Sequence, residues 1–544
     1  MKKILFVLLC CVSALYMSAA PARREGHIVK QADGTELMVF NHGDEYFHWQ
    51  TDQDGRWIEL AKDGMYQEVA AMSEQEIAAR RSASPRFRKP TQTTQATPTN
   101  IAPRGLIILV NFADTSFITP KSEIDSMING VHYTRQYSYS YTSYFKKYTV
   151  NVESEGSARQ YFHDVSAGQY NPQFDVVGPV TVSQSYSYYG KNDHWGNDQK
   201  PEEMVKEACQ LAYSECGVDY SLYDNDNDGT VDFVYIYYAG AGESDGGATN
   251  TIWPHSSSLT ELGTSLSVGG KKIDKYACSN EMSSLSGYHD GIGTFCHEFT
   301  HVLGLPDLYR TDGSSGRTLG DWDILDYGCY NNDGNTPCAF SGYERFFCGW
   351  ATPQLLTDSA YYSLNELNSS NTVLLISPSG AHNLVGNDPN PTTFYLLENR
   401  QQTGWDEHLV GHGLMLTKIQ SSYTKWYNNT VNNSTSSMGV DIIEATTNTS
   451  TGNRASDLFP AGGNAYTGIS GYALTDIKEE NGVVYFSLNG GKTPRETSID
   501  HTDADDEQII GIYTLTGQSL PIDTPLEHGV YIIRTNKNSY KIAR

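Results

Sequence analysis

Cys296-His297-Glu298-Phe299-Thr300-His301-Val302-Leu303-Gly304-Leu305-Pro306-Asp307 is the stretch around which the rest of the chain is organised. Read as a helix, it sets His297 and His301 at positions i and i+4, so both imidazoles leave one face and can reach one metal ion. Glu298 follows the first histidine directly and is placed to act as general base on a water that the metal would activate. Gly304 offers the left-handed backbone that ends a helix, and Pro306 cannot continue one. The chain turns back there, which places Asp307 to add an oxygen ligand from the far side. Three protein ligands with one position left open describe a catalytic zinc site and not a structural one. Taken alone, His-Glu-x-x-His also suits a charged amphipathic helix, but the Gly and Asp at the further spacing weigh against that. A Cys296/His297 nucleophilic pair is rejected, because adjacent helical side chains point about 100° apart.

These residues resemble the zinc motif of the immune-inhibitor-A family of secreted bacterial metallopeptidases, relatives of the metzincins. The likeness runs, with gaps, from about Gly105 to about Leu488, and Leu308-Tyr309 continues the family's wording. It implies an α+β, metzincin-like zinc protease domain with His297, His301 and Asp307 as zinc ligands. It also implies a secreted metalloendopeptidase that hydrolyses peptide bonds in extracellular proteins. Within Gly320-Asp321-Trp322-Asp323-Ile324-Leu325-Asp326-Tyr327-Gly328 the family has Met where Leu325 stands. Tyr327, two residues on, falls where metzincins such as astacins and serralysins carry a tyrosine near the metal. It is a catalytic candidate beside Glu298, with packing of its ring as the alternative. Trp253-Pro254-His255 also matches a family position; with the zinc shell filled, His255 is expected to serve structural hydrogen bonds.

At 544 residues the chain is too long for one core. Lys+Arg 38 against Asp+Glu 64, net −26, argues against nucleic acid or an anionic membrane as partner. Lys2 and Lys3, the apolar run Ile4 to Leu15 and the small residues Ser18-Ala19-Ala20 make residues 1–20 an export signal, with Ala22 a competing end. That run is too short to span a membrane, so no transmembrane segment is expected. Seven cysteines remain after it, an odd number that leaves at least one thiol free.

Residues 21–102 resemble the prosegments of secreted bacterial proteases. Short β-like runs with turns at Ala32-Asp33-Gly34 and Gln53-Asp54-Gly55 lead to a helical piece, Ser73 to Arg81. A Thr-, Pro- and Gln-rich linker follows, in which basic residues invite cutting. A plain N-terminal β module is the alternative. Asp44 could cap the zinc in a latent form, although a turn is the simpler role.

The expected catalytic domain, 103–350, opens on Gly105 to Phe112, apolar on both faces like a buried central strand. Tyr137 to Tyr148 alternates Tyr and Ser, then turns amphipathic. A helix is expected over Pro201 to Ala212, capped by Asp198 or nearby, and a strand over Phe233 to Tyr238. Between them, Asp224-Asn225-Asp226-Asn227-Asp228-Gly229 reproduces the first half of a calcium loop. Tyr235 replaces the closing Glu of an EF-hand, so Asp232 would close the shell and Thr230 would give a backbone carbonyl; a bare surface turn is the alternative.

Beyond Gly349 the pattern is β, read as a β-sandwich-like domain over 351–490, then an acidic linker over 491–508. Residues 509–544 resemble the C-terminal sorting domains of type IX secretion, which implies the secretion machinery as a partner. Protein or peptide substrates, Zn2+ and Ca2+ complete the expectation. Two rivals stand beside it. One is a catalytically silent surface adhesin on the same fold, suggested by Leu325 and by Tyr/Asn-rich strands; the other is a zinc peptidase specialised for glycosylated proteins.

Overall fold

In the computed structural model, the described residues are 19–83, 102–143, 146–193, 196–314, 316–446, 453–492, 509–522, 526, 529–536 and 539–543. The run that is apolar on both faces does become an inner strand, Arg104–Asn111. It lies between Gln173–Thr181 and Val234–Ala241, parallel to both. Lys275–Met282 extends the sheet in parallel, and His255–Ser258 closes it as an antiparallel edge. Alternate residues face opposite cores. Ile107, Leu109, Tyr235 and Tyr237 pack with Phe295 and Phe299 of the helix Gly293–Val302. Leu106, Ile108, Val234 and Ile236 pack with Met204, Val205 and Ala208 of the helix Pro201–Cys216. A strand covered by helices on both sides has no polar face to show, which explains its composition.

The helix Pro201–Cys216 runs longer than the sequence suggests and is not capped by Asp198. Lys200 precedes it with no side-chain cap, while Asp198 accepts the Trp253 N–H at 2.9 Å. Its start relies on Pro201 and on Glu202 and Glu203 against the positive end of the helix dipole. The Tyr/Ser segment is a hairpin, Thr134–Ser143 with Lys146–Glu155. Its period of two puts Tyr137, Tyr139 and Tyr141 on one face, ring centroids 6.3 Å apart in each neighbouring pair.

N-terminal to this region, five antiparallel strands from His27 to Glu68 pair in chain order. The helix Glu74–Ala83 follows, opened by a reciprocal Ser73/Glu76 cap. Asp44 accepts the Tyr46 and Phe47 N–H groups and pairs with the buried Arg81, so it serves the turn and not the metal centre. C-terminal to it, two sheets face each other. One holds Leu374–Ile376, Thr393–Arg400 and Gly413–Gln420; the other holds Tyr361–Leu364, Tyr472–Glu480 and Val483–Leu488. Leu374, Leu397 and Leu416 share one core with Leu474, Val484 and Phe486, as a sandwich requires. Residues 490–544 form a separate unit with a four-stranded antiparallel sheet.

Among the described residues, the seven cysteines from Cys209 to Cys348 form no disulfide, and six are buried. Among the described residues no helix is long and apolar enough to cross a membrane. The expected signal through Ser18, the linker over 84–101 and the acidic segment 493–508 lie outside the described residues.

Candidate metal centre

The helix Gly293–Val302 begins where only glycine fits: a Cβ on Gly293 would lie 1.8 Å from the Cys329 carbonyl oxygen. It ends at Gly304, whose φ of +92° is the left-handed turn expected there. His297 donates from Nδ1 to the Ile324 carbonyl at 2.7 Å, and His301 from Nδ1 to the Leu305 carbonyl at 2.8 Å. Those bonds fix both tautomers, so each neutral ring turns a bare Nε2 lone pair inward. Asp307 Oδ1 lies 3.2 Å from the first Nε2 and 3.3 Å from the second. All three atoms are buried with no hydrogen-bond partner. Three acceptors converging out of reach of water lack a proton to share; a cation supplies what they lack. The donor set of two imidazoles and one carboxylate fits zinc. Burial raises the Asp307 carboxyl, and with no cation present only protonated His301 and His297 would hold it below the usual range.

Asn429 supports this ligand from the C-terminal sandwich. Its Oδ1 accepts the Asp307 N–H at 2.8 Å, and its Nδ2 donates to Asp307 Oδ2 at 2.6 Å. Asn432 donates to the Leu308 carbonyl, and Asn433 accepts from Thr311 N, so residues 429–433 clamp the turn that follows the helix. The turn containing Leu325 lies close by: Leu308 N–H donates to the Leu325 carbonyl, and the Leu325 side chain is fully buried.

Glu298 is fully buried, and its Oε1 accepts the Ala20 N–H at 2.8 Å. Burial pushes its carboxyl well above the ordinary range, against the pull of that N–H. Ala20 belongs to an N-terminal segment laid across the site. Tyr309 donates to the Ala19 carbonyl at 2.7 Å, Trp253 Nε1 to the Ala20 carbonyl at 3.1 Å, and Tyr330 to the Pro21 carbonyl at 2.7 Å. Ala19 and Ala20, which the sequence assigns to the end of the export signal, lie against the candidate centre. The sequence also singles out Tyr327, whose ring lies under the Arg24 guanidinium at 3.5 Å. The hydroxyl that meets a carbonyl beside Glu298 is that of Tyr309. Tyr309 and Asn429 were missed as site residues. Only the position of Tyr309, two residues after a ligand, hinted at its place.

His255 is buried and bonded as expected for a structural histidine, Nδ1 to the Trp253 carbonyl at 2.7 Å and Nε2 to the Tyr276 hydroxyl at 2.8 Å. In the acidic loop, Asp224, Asp226 and Asp228 bring oxygens within 4.8 Å of one another. Asp232 lies outside that group and accepts two bonds from Asn225, and Thr230 is held through its N–H by Asp228. Lys271 Nζ sits 2.5 Å from Asp224.

Residues 92–351 match the family described as the immune inhibitor A peptidase M6 catalytic domain. Among similar proteins is the pre-pro-metalloprotease PrtV of Vibrio cholerae serotype O1 (strain M66-2), 28% identical over 256 residues, 42% of this chain and 28% of that protein. Another is the immune inhibitor A of Bacillus thuringiensis subsp. alesti, 30% identical over 222 residues, 35% of this chain and 31% of that protein. The chain thus spans under a third of the length of these curated relatives.

Proposed function

From the premise that residues 92–351 belong to the immune inhibitor A peptidase family, we propose that this protein is a secreted zinc metalloendopeptidase acting on extracellular proteins. The observation that carries the reading is the convergence of two buried imidazole nitrogens and a carboxylate oxygen, all without partners, next to Glu298. Zinc held by His297, His301 and Asp307 would polarise the scissile carbonyl and favour ionisation of the attacking water. Glu298 takes a proton from that water and returns it to the departing nitrogen. Its 2.8 Å contact with a peptide nitrogen supports the second role. Tyr309, 2.7 Å from the carbonyl oxygen of the preceding residue, is placed to stabilise charge on that atom.

By this reading, Ala19-Ala20 traces the path of a substrate backbone, and the described form is latent. The strands and helix of residues 27–83 hold the blocking segment in place, so they act as a prosegment whose removal opens the cleft. The mostly parallel sheet with an antiparallel edge beside the metal helix supports a metzincin-like catalytic domain. Calcium in the loop Asp224 to Asp228 is a second binding reading, supported by the three gathered carboxylates; Lys271 would have to release Asp224. Export and a sorting role for residues 509–544 rest on the sequence alone. An adhesin is the weaker alternative, since it gives no reason for orphaned ligands beside a buried glutamate.

Glu298→Gln should keep the metal, measured by elemental analysis, and lose at least ~100-fold in turnover on unfolded protein. Parental turnover in that variant would refute the assignment.

A further inference from the structure

The segment across the site brings in one more group, whose surroundings the metal chemistry does not explain. Arg23 is buried, 4% exposed, among three carboxylates. Its Nε lies 2.8 Å from Asp245, its Nη1 2.5 Å from Asp333 and its Nη2 3.6 Å from Asp290. The guanidinium also stands 4.9 Å from the centre of the Tyr330 ring. Each nitrogen faces a different acid, an arrangement that suits the planar fork of arginine better than a single ammonium.

The acids come from separate segments and are held by neutral donors. Ser284 N–H donates to Asp245, Gly291 N–H and Thr294 Oγ1 donate to Asp290, and the Tyr137 hydroxyl donates to Asp333. Arg135, close by, is engaged by the His289 and Asp290 carbonyls and by Asn335. Burial lifts the Asp245 carboxyl to about 7 against the pull of Arg23, and burial raises Asp290 as well. If Arg23 departs, three buried carboxylates remain around a site with no cation in it, and that is costly. The register is fixed too. The backbone that delivers Arg23 also delivers the Ala20 nitrogen to Glu298, three residues earlier.

We propose, resting on the peptidase reading above, that Asp245, Asp290 and Asp333 form a substrate subsite for a basic side chain. Ala20 stands for the first residue after the cleaved bond, so Arg23 stands for the fourth. The enzyme therefore selects arginine, and less strongly lysine, at the fourth position beyond the bond it cuts. Arg23 occupies the place that a substrate's cation takes after the prosegment leaves.

The test uses the full-length protein, secreted and allowed to reach its active form, with quenched fluorescent peptides that differ only at that fourth residue. Arginine should exceed citrulline, which keeps the shape and loses the charge, by about tenfold or more in kcat/KM, the effect of a buried charged contact. Lysine should fall between them and glutamate below both, with the difference mainly in KM. Equal kcat/KM for arginine and citrulline would overturn the subsite. In Asp333→Asn the arginine-to-citrulline ratio should drop toward one, and an unchanged ratio would also overturn it.

A second arm needs no catalysis. Full-length Arg23→Ala should gain thermal stability from millimolar ethylguanidinium and none from ethylurea, while the parent responds to neither. No gain, or an equal gain in the parent, counts against the cation site. Failure to cleave any peptide refutes the peptidase reading and with it the substrate role. Cleavage of every peptide at one rate refutes the subsite alone.

Discussion

Replacing Asn429 with alanine tests the candidate metal centre from a residue outside the three gathered donors. The change removes the acceptor for the Asp307 N–H and the donor to Asp307 Oδ2, both in a place that is 3% exposed. A buried group left unpaired costs roughly 1–3 kcal/mol, so the two together bound the loss at about 2–6 kcal/mol. Part of it falls on folding, because Asp307 is equally exposed to the loss when no metal is bound. The rest falls on the ligand itself, since Oδ2 is the oxygen that orients Oδ1 toward the histidines. Loss of such an outer partner typically weakens metal binding ~10–100-fold, about 1.4–2.7 kcal/mol, which fits inside that bound. Equilibrium competition of the full-length protein against a chromophoric chelator measures the affinity, and melting of the metal-stripped protein measures the folding share. Asn429→Asp should be worse than alanine, because it sets one carboxylate against another in a buried site. Unchanged metal affinity in a folded Asn429→Ala protein would show that Asp307 is not a ligand oriented from this side.

Tyr309→Phe should lower turnover about 100-fold with metal content intact, as loss of an oxyanion donor does, while Tyr327→Phe should change it little. The reverse ranking would return the role to Tyr327. Burial pushes His27 and His42 down to about 4, and burial with Arg135 does the same to His289. They stay neutral in the fold while the unfolded chain takes protons near pH 6.5, so their contribution is complete above that value and is lost as pH falls toward 4. His48 runs the other way: burial lowers it, but Glu243 outweighs burial and raises it, so its contribution is lost as pH rises. Asp245, Asp323 and Glu261, raised by burial to about 7, 7 and 8, also hold protons in the fold that the unfolded chain has released. With His48 they outweigh the three histidines, so the Tm of the full-length protein should rise between pH 7 and pH 5; a fall would contradict this. In protein stripped of divalent ions, calcium at a hundred times its dissociation constant should add roughly 3 kcal/mol to stability if the acidic loop binds it. The gain should vanish in Asp226→Asn with Asp228→Asn, and a Tm indifferent to calcium would refute the loop site.

The convergence at the candidate centre was legible because it is local. His297, Glu298 and His301 share one turn and a half of helix, and Gly304 needs the left-handed backbone that the structure gives it. The central strand was legible for a similar reason, since Ile107 and Ile108 are both apolar and serve opposite cores. What could not be read depends on chain closure. Asn429 reaches Asp307 across a separation of 122 residues, and Ala20 reaches Glu298 across 278; no spacing rule links such pairs. Tyr327 was favoured by likeness, and only the fold could show Arg24 lying on its ring. Asp198 has the chemistry of a helix cap, but the Trp253 N–H competes for it and wins. The Tyr137 to Tyr141 alternation is a strand signal of period two, while its partner strand Lys146–Glu155 is set by pairing that the alternation alone does not show.

The position of Asn429 along the chain also gives the clamp a meaning in time. A polypeptide made from its N-terminus presents Ala20 and Arg23 first, the helix Gly293–Val302 next, and residues 429–433 last. The plug is thus synthesised before the lock, and the piece that fixes Asp307 arrives only when the sandwich is being finished. No partial length of nascent chain holds a completed, uncovered centre. If the centre is the proposed peptidase site, that schedule keeps it from being both assembled and open during synthesis, without any dedicated inhibitor.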